Sequence, residues 1–290
     1  MTFLRETIGI PSTVGVVGGG RMGAGIAQVF AALGSSVVIA EAADQEAALA
    51  RVSTGLDRAH ERGKLTAPPA EILARVSTVA GPADLPAGLD LVVEAVPEIP
   101  SLKIEVLALI DTAVSASTVI ASNTSSISIA ELGAALSDPS RFIGMHFFNP
   151  VPASTLVEIV RAPATSPAVT SQVRNWVRLL GKTEVLVNDS PGFATSRLGV
   201  MLGLEAIRML EEGVADAESI DRAMELGYKH PMGPLRSTDL VGLDVRLAIA
   251  EHLASTLGDR FTPPQLLRDK VARGELGRKS GKGFHDWEST

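Results

Sequence analysis

The 290-residue chain contains no cysteine. That excludes disulfides and thiolate-ligated zinc sites and fits a reducing compartment, although secreted chains without cysteine also exist. There is no surplus of positive charge either: 26 basic against 33 acidic residues leave a formal net charge of −7. Nucleic acid and anionic membranes both select a positive field, so neither is an expected partner. No low-complexity tract, internal repeat or His-x-x-x-His spacing occurs, and no metal is expected. The opening stretch MTFLRETIGIPST carries Arg5 and Glu6 where a signal peptide needs its apolar core, so a soluble, cytoplasmic protein is expected.

The longest apolar stretch, TVGVVGGGRMGAGIAQVFAALGSSVVIA, is hydrophobic enough to suggest a membrane span. It also holds Arg21, Gln28 and a run of glycines, and its periodicity changes midway. It reads instead as strand, turn, helix and strand. Val- and Ile-rich runs at 13–18, 36–40, 76–79, 90–95, 118–122, 142–147, 155–160 and 183–188 alternate with helical stretches at 22–34, 44–63, 101–114, 128–135 and 166–180. That alternation predicts an α/β fold: a Rossmann-type, doubly wound and mostly parallel sheet with helices on both faces. The link between 147 and 155 is too short for a crossover helix, so those two strands are expected to be antiparallel. After NDSPGF the strand signal stops. Helices are expected from 194 to Gly213, at 215–226, 238–257 and 263–273, which gives an all-helical C-terminal domain. The expected division is 1–188 and 189–290.

Gly18, Gly20 and Gly23 stand in G-x-G-x-x-G spacing between a strand and a helix, with Glu41 ending the next strand. In such a loop the first glycine permits a tight turn, the second lets backbone N–H groups approach a pyrophosphate, and the third lets helix and strand pack closely. Gly18, Gly19, Gly20, Arg21, Met22 and Gly23 are therefore the expected cofactor cradle. Glu41 is placed to accept hydrogen bonds from a ribose. Ala42, Ala43 and Asp44 follow it and no arginine appears before Arg51, so NAD is expected rather than NADP.

Ligands of open α/β sheets gather outside the carboxyl ends of the strands. Those ends carry Glu94, Glu98 and Lys103, then Ser122, Asn123, Thr124 and Ser125, then His146 and Asn149. The hydroxyl cluster has a second reading as a helix cap, most readily for Ser126 or Ser128, and Ser125 stays open between the two roles. In HFFNPVPASTLVE, residues 146–158, a hairpin turn near Pro152 places His146 and Glu158 equidistant from its centre and so opposite each other. A carboxylate in that position orients an imidazole for proton transfer. The histidines at 60, 230, 252 and 285 have no such partner and read as structural.

The ordered motifs GGGRMGAGIAQ, VVEAVPE, ASNTSS, HFFNPVP with LVE, SPGF, HPMGP and GRKSGKGF make the chain resemble the L-3-hydroxyacyl-CoA dehydrogenases over nearly its whole length. Their bacterial stand-alone 3-hydroxybutyryl-CoA members are the nearest in appearance. The resemblance implies an NAD-dependent dehydrogenase of fatty-acid β-oxidation type acting on a short-chain acyl-CoA substrate, with His146 and Glu158 as the catalytic pair. It implies Ser125 at substrate and nicotinamide, Glu98, Lys103, Asn149 and Lys279 at the cofactor, and a homodimer formed through the second domain. Ser196 stands where the family commonly has an asparagine near the substrate, and Thr155 where it often has lysine. Arg58, Arg62 and Lys64 are candidates for the phosphates of coenzyme A, with a solvated helix face as the other reading. Alternatives on the same scaffold are a 3-hydroxyadipyl-CoA or free hydroxy-acid substrate, and a non-catalytic NAD-binding relative.

Overall fold

A computed structural model describes residues 9–287; the segment around Arg5 and Glu6 lies outside them. The chain divides into two compact units, Met1–Asp189 and Ser190–Thr290.

The first unit runs β1 (Thr13–Val17), α1 (Arg21–Leu33), β2 (Ser36–Ala40), α2 (Gln45–Glu61), α3 (Pro69–Leu73), β3 (Val76–Val79), β4 (Leu91–Glu94), α4 (Pro100–Ala113), β5 (Val119–Ser122), α5 (Ile129–Gly133), β6 (Phe142–Phe147), β7 (Leu156–Arg161), α6 (Pro167–Leu179) and β8 (Thr183–Asn188). The strands form one sheet in the order β3-β2-β1-β4-β5-β6-β7-β8. Every pairing is parallel except β6 with β7, which is antiparallel as the short 147–155 link requires. The order reverses between β1 and β4, and the crevice at such a switch point, outside the carboxyl ends, is where this architecture places its ligands.

The central strands read as apolar runs because they are covered on both faces. β4 is buried at every residue, and so is β6. Phe30 of α1 and Trp176 of α6 are among the largest fully buried side chains, and each contributes roughly 1.5–3 kcal/mol by leaving water. Helix starts follow local chemistry: Asp44 caps α2 by accepting from Ala47 N, and Ser166 caps α6 by accepting from Val169 N. The five-residue α3, with Pro69 at its first position, had no counterpart among the helices expected from periodicity, since it is too short to display one.

The second unit contains α7 (Thr195–Glu211), α8 (Ala217–Gly227), α9 (Pro234–Val241), α10 (Leu243–Leu257) and α11 (Gln265–Ala272). Val200, Leu204, Ile207, Leu235, Leu243, Leu253, Phe261 and Leu267 form its core. The single helix expected over 238–257 is two helices. Gly242 separates them at φ 104°, a conformation that no other residue type adopts readily. The apolar periodicity continues through the break, which is why the sequence pattern hides it. Among the described residues, no helix is long and apolar enough to cross a membrane.

Candidate active site

The glycine loop forms the first wall of the site. Gly18 has φ 99°, and a Cβ there would lie 2.9 Å from the Ala95 carbonyl oxygen. A Cβ on Gly23 would sit 1.8 Å from the Gly18 carbonyl oxygen, so only glycine lets α1 pack so closely on β1. Gly20, by contrast, opens into space, with nothing within 4 Å of its missing Cβ. It is also the N-cap of α1 and supplies no side-chain cap, so the N–H groups that begin at Arg21 and Met22 point from a helix N-terminus with no acceptor from a capping side chain. That arrangement fits an anionic diphosphate.

Glu41 stands beside this cradle at the end of β2. Its Oε2 accepts from Gly19 N at 2.7 Å and its Oε1 from Ala43 N at 2.8 Å. Burial alone would raise this carboxyl, but the backbone donors of Ala43, Gly19 and Asp44, together with the charge of Arg51, outweigh it. The result is a carboxylate held below its ordinary range. Arg51, distant in sequence, donates from Nη1 to the Gly19 carbonyl at 3.1 Å. The arginine nearest the acidic strand end is thus committed to the loop itself, a contact that sequence spacing did not show.

A buried polar network closes the ends of β4 and β5. Glu94, fully buried, accepts from Ser122 Oγ at 2.5 Å, Val96 N at 2.7 Å and Lys103 Nζ at 2.8 Å. Lys103 also lies 3.4 Å from Glu98 Oε2. The other oxygen of Glu98 accepts from Thr124 Oγ1 at 2.6 Å, Ser125 N at 2.8 Å and Ser126 N at 3.1 Å. Glu98 therefore shapes the turn that presents Ser125. The helix-capping task belongs to Ser128, whose Oγ accepts from Glu131 N and donates to Asp189. Ser125 keeps partial exposure. Lys103 is buried beneath the two glutamates, and the network around Glu94 was the least legible part of the site, because its members lie far apart in sequence.

The histidine and glutamate meet. The register pairs His146 with Glu158 across β6 and β7, and Nδ1 lies 2.8 Å from Oε2. Glu158 is fully buried and His146 nearly so, at 5 % exposure. The Phe148 ring packs against the imidazole with centroids 4.4 Å apart. Asn123 Oδ1 accepts from Phe147 N at 2.8 Å and fixes the end of β6. The turn that follows contains the cis Asn149–Pro150 peptide, and Asn149 is exposed there. Lys182, just before β8, donates from Nζ to the carbonyls of Val151 and Ser154 in this turn. No sequence motif had singled it out.

Two expected residues lie in the second unit. Ser196 is in the first turn of α7 and is partly buried. Lys279 binds both carboxylate oxygens of Asp244 on α10, each at 2.6 Å. Arg58, Arg62 and Lys64 are exposed at the end of α2 and just after it. Among the described residues, no group of three or more His, Asp or Glu side chains is arranged to hold a metal ion.

The NAD-binding domain of 3-hydroxyacyl-CoA dehydrogenases matches residues 13–190, and the C-terminal domain of the same enzymes matches residues 192–287. The chain belongs to the 3-hydroxyacyl-CoA dehydrogenase family. It is 41% identical over 279 residues to a 3-hydroxybutyryl-CoA dehydrogenase of Mycobacterium tuberculosis, covering 94% of this chain and 98% of that one. It is 40% identical over 276 residues to that of Clostridioides difficile, covering 94% and 98%. The solved structure of an (S)-3-hydroxybutyryl-CoA dehydrogenase from Ralstonia eutropha superposes with a TM-score of 0.90 at 43% identity, covering 96% of this chain and all of that one. As a member of this family, the protein carries its NAD-binding module in the unit that holds the glycine loop.

Proposed function

We propose that the protein interconverts (S)-3-hydroxyacyl-CoA and 3-oxoacyl-CoA thioesters of short chain, such as 3-hydroxybutyryl-CoA and acetoacetyl-CoA, with His146 as the proton-transferring group. The observation that carries this reading is the 2.8 Å contact between His146 Nδ1 and the fully buried Glu158. A buried carboxylate there holds a proton on Nδ1, so exchange with the substrate hydroxyl falls to Nε2. It also offsets the positive charge the ring gains on taking that proton. NAD, held by the Gly18–Gly23 loop and Glu41, supplies the hydride acceptor. Glu98 and the buried Lys103 hold the turn at Ser125 against the cofactor side of the site, and Lys279 is the second unit's expected cofactor contact.

The hydroxyl of Ser125 and the amide of Asn149 supply hydrogen bonds to the reacting oxygens, and Ser196 offers a third, shorter reach than an asparagine. Such positioning lowers the barrier by fixing the attack geometry before reaction. Exposed Leu198, Leu226, Tyr228, Val241 and Val245 on the second unit support a homodimer through that unit, and the family's stand-alone bacterial members support a cytoplasmic setting.

The test is NADH oxidation followed across acetoacetyl-CoA, longer 3-oxoacyl-CoA thioesters and free acetoacetate, with NADPH in parallel. Turnover of the thioesters with NADH supports the proposal. NADH binding without turnover of any 3-oxoacyl-CoA contradicts it.

A further inference from the structure

Gly25 is a glycine that its own backbone does not require. It lies buried one turn into α1, without the positive φ of Gly18, and glycine inside a helix is less favourable than alanine. The reason for it stands across the fold. A Cβ on Gly25 would meet Val151 Cβ at 2.9 Å and Cγ2 at 3.1 Å, with Pro152 Cδ at 3.7 Å. Val151, 2 % exposed, belongs to the turn between β6 and β7 and fills the notch that the missing side chain leaves. In the sheet, β6 is separated from β1 by β4 and β5. The helix that starts at the glycine loop thus touches the turn of the His146 and Glu158 hairpin directly, without going through the two strands between them.

Both sides of this contact are held. Two residues before Gly25, Gly23 seats α1 on the Gly18 carbonyl with no room for a Cβ. On the other side, Lys182 Nζ donates to the Val151 carbonyl at 2.6 Å, and the N–H groups of Ala153 and Ser154 close the turn on the Pro150 carbonyl. The end of β6 is fixed in turn by Asn123, which accepts from Phe147 N. The segment left to absorb a displacement of Val151 is therefore Phe148 and Asn149, and the Phe148 ring packs on the His146 imidazole. We propose that Gly25 and Val151 are a positioning pair that sets how far Phe148 and Asn149 stand from the cofactor helix. On the dehydrogenase reading, on which this inference rests, NAD lies at the start of α1 while His146 and Asn149 meet the substrate oxygen. The pair then fixes the spacing between the hydride acceptor and the group that moves the proton, and a misplacement of about 1 Å in such a site can cost ~10²-fold in rate.

The experiment compares full-length wild type, Gly25→Ala, Val151→Gly and the double variant in three readouts. These are single-turnover reduction of acetoacetyl-CoA at saturating NADH, NADH affinity by fluorescence, and the His146 ring signal in protein with isotope-labelled histidine, assigned by its loss in His146→Gln. Gly25→Ala should lose tenfold or more in rate and shift the His146 signal, with NADH affinity within threefold of wild type. In the Val151→Gly background, where the obstructing atoms are gone, the same substitution should cost less than threefold and leave the signal in place. An equal loss in both backgrounds overturns the pair, and so does a loss of NADH affinity as large as the loss in rate. If Gly25→Ala does not fold, a folded and active double variant supports the contact and an unfolded one overturns it. No turnover of any 3-oxoacyl-CoA by wild type overturns the dehydrogenase reading and the catalytic role of the pair together; a His146 signal that Gly25→Ala leaves unmoved overturns the pair alone.

Discussion

Lys182 Nζ is seated on the Val151 carbonyl oxygen at 2.6 Å, and it bonds the Ser154 carbonyl from the same position. The lysine is buried, and burial pulls its ammonium below the ordinary lysine range. It ties the start of β8 to the turn between His146 and Glu158. Lys182→Met should leave two carbonyls short of a donor and cost about 1–3 kcal/mol of stability. Urea denaturation measures that loss. Because the turn carries Asn149 and spaces the two strands, kcat should fall several-fold. An unaltered kcat in a folded variant would remove the turn-holding role.

Gly23→Ala should be among the most damaging substitutions in the first unit. The added Cβ would lie 1.8 Å from a backbone oxygen of Gly18, an obstacle that no side-chain rotation relieves. Overpacking typically costs ~1–3 kcal/mol, and backbone as the obstacle puts this position at the upper end. NADH titration by fluorescence should show affinity reduced tenfold or more. Gly88→Ala, at an exposed turn of ordinary backbone conformation with nothing within 4 Å of its missing Cβ, is the matched control.

Glu184 on β8 is held by Arg178 and Arg174, and the Arg178 guanidinium is the larger cause of its carboxyl falling to about 2 from an ordinary 4.5. A carboxyl depressed in the folded state contributes stability that is complete above the unfolded value and fades as pH falls toward the folded one. The wild type should therefore exceed Glu184→Gln in urea midpoint at pH 7, and the gap should shrink between pH 4.5 and 2. A gap that stayed constant across that window would mean the ion pairs contribute nothing.

How much of this was legible in the sequence depends on how local each feature is. The glycine loop, the Val- and Ile-rich strands and the hairpin that sets His146 opposite Glu158 all follow from spacing over a few residues, and the mostly parallel pairing follows from their alternation with helices. Contacts made by distant residues were not visible. Arg51 on the Gly19 carbonyl, Glu98 on the Ser125 amide, Lys182 on the hairpin turn and Val151 in the space left by Gly25 arise only once the chain is folded. The break at Gly242 was hidden for the opposite reason, since apolar periodicity runs straight through it.

The central claim is that His146, oriented by Glu158, moves the proton. The most direct measurement is single-turnover reduction of acetoacetyl-CoA at saturating NADH by wild type, His146→Gln and Glu158→Gln, with NADH affinity determined alongside. General acid–base assistance of ~10²–10⁴-fold should disappear in His146→Gln, and Glu158→Gln should lose a large part of it, with NADH affinity within threefold of wild type in both. A His146→Gln enzyme that retains more than a tenth of the wild-type rate would contradict the account.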